Sequence, residues 1–145
     1  MKTISLLTLC LTAAAGFAQT PAPQPKETAY QALVQDAKTR VKEMNIDQLK
    51  ALKAAGENVT LIDVREDGEW AAGHAVGAVH MSKGIIERDI ETKVPQKNAK
   101  LVLYCGGGSR SALAADALMK MGYSNVVSLA GGMNAYKSAG LPTEK

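Results

Sequence analysis

Aromatic residues are scarce: one Phe, one Trp and four Tyr in a chain of 145 residues. That scarcity excludes a base-stacking platform of the kind single-stranded nucleic acids need. Charge of one sign is not in excess either. Seventeen Lys and Arg against 14 Asp and Glu leave a formal net charge of +3, and no basic run interleaves with aromatics, so nucleic acid is not indicated as a partner. The only histidines, His74 and His80, have a spacing that suits no common zinc pattern, and no second thiol stands near Cys105 in sequence to complete a site, so no metal ligands are assigned. No internal repeat is present. After the first 20 residues there is no apolar run long enough to cross a bilayer.

The amino terminus has its own layout. Met1-Lys2 is a short positive start, Ile4 to Phe17 is apolar and uncharged, and Gly16-Phe17-Ala18 offers the small residues a signal peptidase reads. The expectation is a signal peptide over 1–18, cleaved after Ala18, and a periplasmic or secreted mature protein with no membrane attachment once the leader is gone. A lipoprotein site at Cys10 is rejected because Leu9 before it is bulky and the apolar region would be cut in half. Cleavage removes Cys10 and leaves Cys105 as the single thiol. A lone thiol in an oxidising compartment is a liability unless it is used. Pro21, Pro23 and Pro25 make 19–27 an extended linker. What remains, 28–145, has the size of one domain, and 46% hydrophobic with 21% charged residues is ordinary for a globular protein.

Along that domain, Tyr30, Leu33, Val34, Ala37 and Val41 recur at helical spacing and predict an amphipathic helix over 28–42, although 41–44 also reads as a short first strand. Asn45 and Gln48 form a capping-box pattern that opens a helix over 47–55. The β-branched run 59–64 predicts a central parallel strand, ending at Asp63-Val64-Arg65. Asp67 is read as the cap of a short helix, 76–81 as a small strand, and 83–87 as a loop leading into a short helix. Strand, loop and helix then follow at 101–104, 105–108 and 109–121. Strand 126–129, a Gly131-Gly132 turn and a helix over 133–139 close the chain. Strands alternating with helices imply an α/β fold with a mostly parallel sheet of about five strands and helices on both faces.

The chemistry concentrates at Leu101-Val102-Leu103-Tyr104-Cys105-Gly106-Gly107-Gly108-Ser109-Arg110-Ser111. A buried strand delivers a thiol to a glycine loop that opens a helix. Loop amides and the free N–H groups of the helix's first turn converge on one small volume, and Arg110 adds a full positive charge. Such surroundings favour thiolate, the reactive form, and hold an anionic group carried on sulfur.

This loop resembles the active-site loop of the rhodanese (sulfurtransferase) family. So do Leu61-Ile62-Asp63-Val64-Arg65-Glu66, Gly73-His74 with Gly77-Ala78-Val79-His80, and Gly122-Tyr123 with Leu129-Ala130-Gly131-Gly132, four ordered motifs over residues 45–142. The resemblance implies the three-layer rhodanese-like fold in its single-domain form. It also implies transfer of a sulfane sulfur, from thiosulfate or a related small anionic donor to a thiophilic acceptor such as cyanide or a thiol. Cys105 would carry that sulfur as a persulfide. Gly106, Gly107, Gly108, Ser109 and Arg110 would bind the donor and the anion, and neither a metal nor an organic cofactor is needed. Asp63 and Arg65 are read as structural support, with Arg65 paired to Glu66 or Glu69. Lys83 and Glu87 are read at the rim, and Tyr136 as a packing replacement for the family's usual Trp. Four residues separate Cys105 from Arg110, the sulfurtransferase loop length. The cell-cycle phosphatases of this fold have five, which leaves a phosphatase or arsenate reductase as the weaker alternative. A carrier that passes persulfide to a protein thiol partner is the other alternative.

Overall fold

The computed structural model describes residues 27–145. The expected signal peptide and nearly all of the expected linker lie outside the described residues.

Five parallel strands form the central sheet. They are β1 (Lys42–Met44), β2 (Thr60–Asp63), β4 (Val79–His80), β5 (Leu101–Tyr104) and β6 (Val126–Leu129), in the order β1-β6-β5-β2-β4. β3 (His74–Ala75) pairs antiparallel with the carboxyl-terminal β7 (Thr143–Glu144) in a separate ribbon. The helices are α1 (Ala29–Lys38), α2 (Ile46–Ala54), α3 (Asp67–Ala71), α4 (Ile86–Lys93), α5 (Ser109–Lys120) and α6 (Gly132–Ser138).

The pleat sorts the side chains into two cores, because successive strand residues point to opposite faces. On β5, Leu101 and Leu103 join Ile62, Val64, Ile86, Ile90, Ala114, Ala115 and Leu118 beneath α4 and α5. Val102 and Tyr104 join Leu49, Leu61, Leu129, Met133 and Tyr136 beneath α2 and α6. Cys105 continues the first alternation, so its side chain belongs to the α4–α5 face. α1 packs outside α5 through buried Val34 and Ala37. Arg40 and Lys120 both bind the Asp116 carboxylate there, at 2.8 Å and 2.7 Å. The α/β class, the parallel five-stranded sheet and the two helical layers agree with the sequence reading.

Several boundaries differ. α1 stops at Lys38, and 42–44 takes the strand alternative, hydrogen-bonded to β6. Thr28 and Gln31 form the reciprocal cap that starts α1. The strand placed at 76–81 is only Val79–His80; Gly77, at φ +74°, turns the chain between β3 and β4. Asp67 is the first helical residue of α3, and the cap position is Glu66, whose amide donates to Glu69 Oε2 at 3.2 Å. α6 begins one residue early, at Gly132. β7 (Thr143–Glu144) has no strand pattern in the sequence and exists by pairing with β3.

Candidate active site

Cys105 follows the last residue of β5, directly beneath the amino terminus of α5. The chain reverses through Gly106, Gly107 and Gly108, and Gly108 sits at φ +104°, a backbone conformation that glycine adopts without strain. There its amide points back at the thiol and donates to Cys105 Sγ at 3.1 Å. Ser111, one turn into α5, places its hydroxyl 3.7 Å from the same sulfur. Ser111 Oγ also lies 3.2 Å from Gly108 O and 2.9 Å from Ser128 Oγ on β6. Both serines are fully buried.

The thiol is 2% exposed. Burial pushes its pKa up. Hydrogen bonds from the Ser111 amide and hydroxyl and from the Gly108 and Gly107 amides outweigh that and leave it below the ordinary thiol value. The converging donors favour thiolate, and the same arrangement suits an anionic sulfur bonded to Cys105.

The loop is gripped from the other side by α6. Met133 donates its amide to Cys105 O at 2.7 Å and Asn134 donates to Gly106 O at 3.1 Å. Gly132 makes this approach possible. It lies at φ +51°, and a Cβ there would stand 2.3 Å from Cys105 O. Gly132 thus lies against the backbone of the thiol residue itself, at the turn that the Gly131-Gly132 pair makes near the site.

Arg110 projects from the first turn of α5 and meets Glu69 of α3 end-on. Its Nη1 donates to Oε2 at 2.6 Å and its Nη2 to Oε1 at 2.8 Å. Glu66 Oε1 lies 3.9 Å from Nη1. The Arg110 guanidinium holds the Glu69 carboxyl down at about 2. The full positive charge that Arg110 adds to the loop is thus paired with a fixed carboxylate. Glu69 is the residue the sequence reading missed at this site. The Glu66–Glu69 spacing signals a helix start, and nothing local signals the pairing with Arg110.

Asp63 and Arg65 are brought together at the end of β2, where Asp63 stands in register with Tyr104, the residue before the thiol. Arg65 Nε and Nη2 donate to the Asp63 carboxylate at 3.0 Å and 2.6 Å, and Nη2 also donates to Gly73 O at 2.9 Å. The partner is Asp63, not Glu66 or Glu69, because both side chains are buried and a buried guanidinium needs a buried counter-charge. The pair ties β2 to the turn after α3. Trp70 completes that anchor by stacking on His74 at 3.3 Å and His80 at 4.8 Å between centroids. Each histidine also hydrogen-bonds a backbone carbonyl, of Trp70 and Arg65 respectively. Ser109 opens α5 half-buried, Lys83 pairs with Glu87 at 3.3 Å, and Tyr136 is buried, with its hydroxyl donating to Pro142 O.

A surface depression of about 570 Å³ lies between Thr60 at the start of β2 and residues 93–99. That is the far end of the sheet from Cys105. Cys105 itself sits in a loop cradle rather than in that depression.

Residues 45–139 match the rhodanese-like domain model. The chain belongs to the rhodanese-like domain family. Within that family it is 34% identical over 102 residues to a sulfurtransferase of Allochromatium vinosum, covering 70% of this chain and 94% of that protein. It is 33% identical over 97 residues to the thiosulfate sulfurtransferase GlpE of Pseudomonas entomophila, covering 67% and 85%. It is 28% identical over 93 residues to a putative sulfur carrier protein, YrkF, of Bacillus subtilis, covering 64% of this chain and 49% of that one. Among solved structures, a Rhodopseudomonas palustris protein of unknown function, described as a possible tyrosine phosphatase, superposes with a TM-score of 0.73 at 30% identity. The match covers 85% of this chain and 99% of that one. This rhodanese-like domain carries its cysteine loop where β5 meets α5.

Proposed function

We propose that this rhodanese-like protein is a sulfurtransferase that works through a persulfide on Cys105. The observation that carries the reading is the cradle around Sγ: a thiol lowered in pKa, with the Gly108 amide at 3.1 Å and the Ser111 hydroxyl at 3.7 Å. The names of the relatives, sulfurtransferases and a sulfur carrier, support sulfur as the transferred group.

In the first step Cys105 thiolate attacks the outer sulfur of a donor such as thiosulfate. An S–S bond forms to Cys105, the donor's own S–S bond breaks, and sulfite leaves with the electron pair. The new terminal sulfur carries the negative charge into the amide cradle, where fixed donors stabilise it without reorganising. In the second step an acceptor nucleophile, cyanide or a thiolate, bonds to that sulfur and Cys105 thiolate is released. No proton or electron has to be supplied by another group.

Intact-mass measurement of the purified chain tests this. A gain of one sulfur atom on incubation with thiosulfate, removed by cyanide and absent in Cys105→Ala, is the expected result. Sulfur transfer surviving in Cys105→Ala, or no sulfur gained from any sulfane donor, overturns it. A carrier fits the same half-reactions and differs in showing no steady-state turnover with small acceptors. Export, inferred from the leader-like amino terminus, is tested by sequencing the amino terminus of the protein from the periplasmic or secreted fraction; the expected first residue is Gln19. An intact leader on cytosolic protein overturns it.

A further inference from the structure

The loop that holds Cys105 carries one cation, Arg110, and that cation is spoken for. Both Nη atoms are bound by Glu69 in a two-point pair at 2.6 and 2.8 Å. Glu69 is itself fixed, since Oε2 also accepts the Glu66 amide. Its neighbour Trp70 is stacked on two histidines, which pins α3. The pair hangs over the loop next to the thiol. A Cβ on Gly106 would lie 3.5 Å from Arg110 Nη2 and 3.9 Å from Glu69 Oε1. A Cβ on Gly107 would meet nothing within 4 Å, so the loop is open to solvent one residue on from the Gly106 position that the pair flanks. A donor arriving there meets one guanidinium already matched by one carboxylate, with Glu66 close behind. The Glu69 carboxyl is held far below the usual range, so it stays charged at any working pH.

A dianion such as thiosulfate would use a free guanidinium well, because two parallel N–H groups match its oxygens. Here the end-on Nη1/Nη2 pair is occupied, and a fixed negative charge stands beside the N–H groups that remain. A persulfide R–S–SH asks for no such contact, since its transferable sulfur carries at most one negative charge and that charge goes to the amide cradle.

We propose that Glu69 is a specificity-determining residue: by holding Arg110 it turns Cys105 away from dianionic sulfur donors and toward persulfides. With a persulfide, Cys105 thiolate bonds to the outer sulfur, the donor's S–S bond breaks, and R–S⁻ leaves with the electron pair. The proton stays on the transferred sulfur and no oxidant or reductant is required. The choice of donor rests on the sulfur-transfer reading above, whereas the charge filter itself does not.

The experiment compares the mature wild-type chain with Glu69→Gln and Glu69→Asp. Cys105 is alkylated with iodoacetate, an anion, and with iodoacetamide, its neutral counterpart. The ratio of the two rates reports charge at the mouth and cancels any change in thiolate fraction. Glu69→Gln is expected to raise the iodoacetate-to-iodoacetamide ratio about three- to tenfold and to lower the KM for thiosulfate by a similar factor. Loading from the persulfide of 2-mercaptoethanol should change less than about twofold. Glu69→Asp, which keeps the carboxylate, should stay near wild type in the ratio. Thermal melting confirms that each variant is folded, and the 38% exposure of the Glu69 side chain makes the substitution easy to accommodate. An unchanged ratio in a wild type and variant that both accept sulfur overturns the filter alone. A raised ratio in a protein that accepts sulfur from neither donor overturns the sulfur-transfer reading, and the donor preference with it, while the filter stands.

Discussion

Ser111 has one hydroxyl proton and three polar neighbours: Cys105 Sγ, Gly108 O and Ser128 Oγ. Ser128 is fully buried, and Ser111 is the hydroxyl partner it has among the described residues. When Ser128 donates to Ser111, the Ser111 proton is free for the sulfur or for Gly108 O. The Ser111 hydroxyl is one of the groups that lower the thiol pKa. Ser111→Ala should therefore raise that pKa and slow iodoacetamide alkylation at pH 7 several-fold. The rate-against-pH curve should move to higher pH, because thiolate is present above the thiol's pKa and lost below it. Ser128→Ala should move it the same way by less. Gly132 is the second residue whose chemistry is dictated by a neighbour. A Cβ at φ +51° and 2.3 Å from Cys105 O forces the loop or α6 to shift. Gly132→Ala is expected to cost about 1–3 kcal/mol in urea unfolding, from backbone strain and overpacking. It should also reduce sulfur loading, because the amides aimed at Sγ move with the loop.

At the scale of elements, α5 does two things. Its amino terminus supplies the donors at Cys105, and its outer face seats α1. The α1–α5 seam is closed by Asp116, whose carboxylate takes Arg40 Nε at 2.8 Å and Lys120 Nζ at 2.7 Å. Hydrogen bonds from Arg40 and then Lys120 hold Asp116 down at about 2. A carboxyl lowered on folding contributes stability that is fully present above its unfolded value, about 4. That contribution is lost as pH falls from there toward 2. Asp116→Asn should lower stability at pH 7 and flatten the acid limb of stability against pH between about 4 and 2. Urea midpoints measured across that range check both. Elements defined by local pattern were legible: the capping box at Asn45 and Gln48, the strands 101–104 and 126–129, and the helix from Ser109. Elements whose limits depend on distant partners were not. β1 exists because β6 offers it a parallel edge, and β7 because Gly77 N and the β3 backbone meet the chain's end, with Glu144 Oε1 accepting the Gly77 amide at 2.8 Å.

For the whole molecule, the strand order β1-β6-β5-β2-β4 puts β5 at the centre, buried on both faces, with the thiol at its carboxyl end. That is where open α/β sheets place their sites, since helix amino termini and loops converge there. The family match begins at residue 45, after α1 and β1. The Rhodopseudomonas structure superposes over 85% of the chain, which is more than that match spans. α1 lies outside the residues that the family model matches. A chain starting at Val41 should lose about 2–4 kcal/mol of stability, since Val34 and Ala37 no longer cover α5. At low temperature it should still load sulfur. Urea unfolding and intact-mass loading on the same sample check this; lost loading in a folded truncation would tie α1 to the site.

The sequence by itself determined the family, the α/β class, the position of Cys105 between strand and helix, and the glycine loop around it. All of these follow from short-range pattern, where residue type and spacing set backbone shape directly. Only the tertiary structure decided who meets whom. It paired Arg65 with Asp63 because both are buried at one strand end. It set Gly132 against Cys105 O, and Ser128 against Ser111, across 17 residues of chain. It brought Glu69 onto Arg110 over a separation of 41 residues, so the charge beside the thiol is a matched pair instead of a free cation. Pairing over 17 or 41 residues depends on which strand ends and helix starts lie side by side, and no local spacing encodes that.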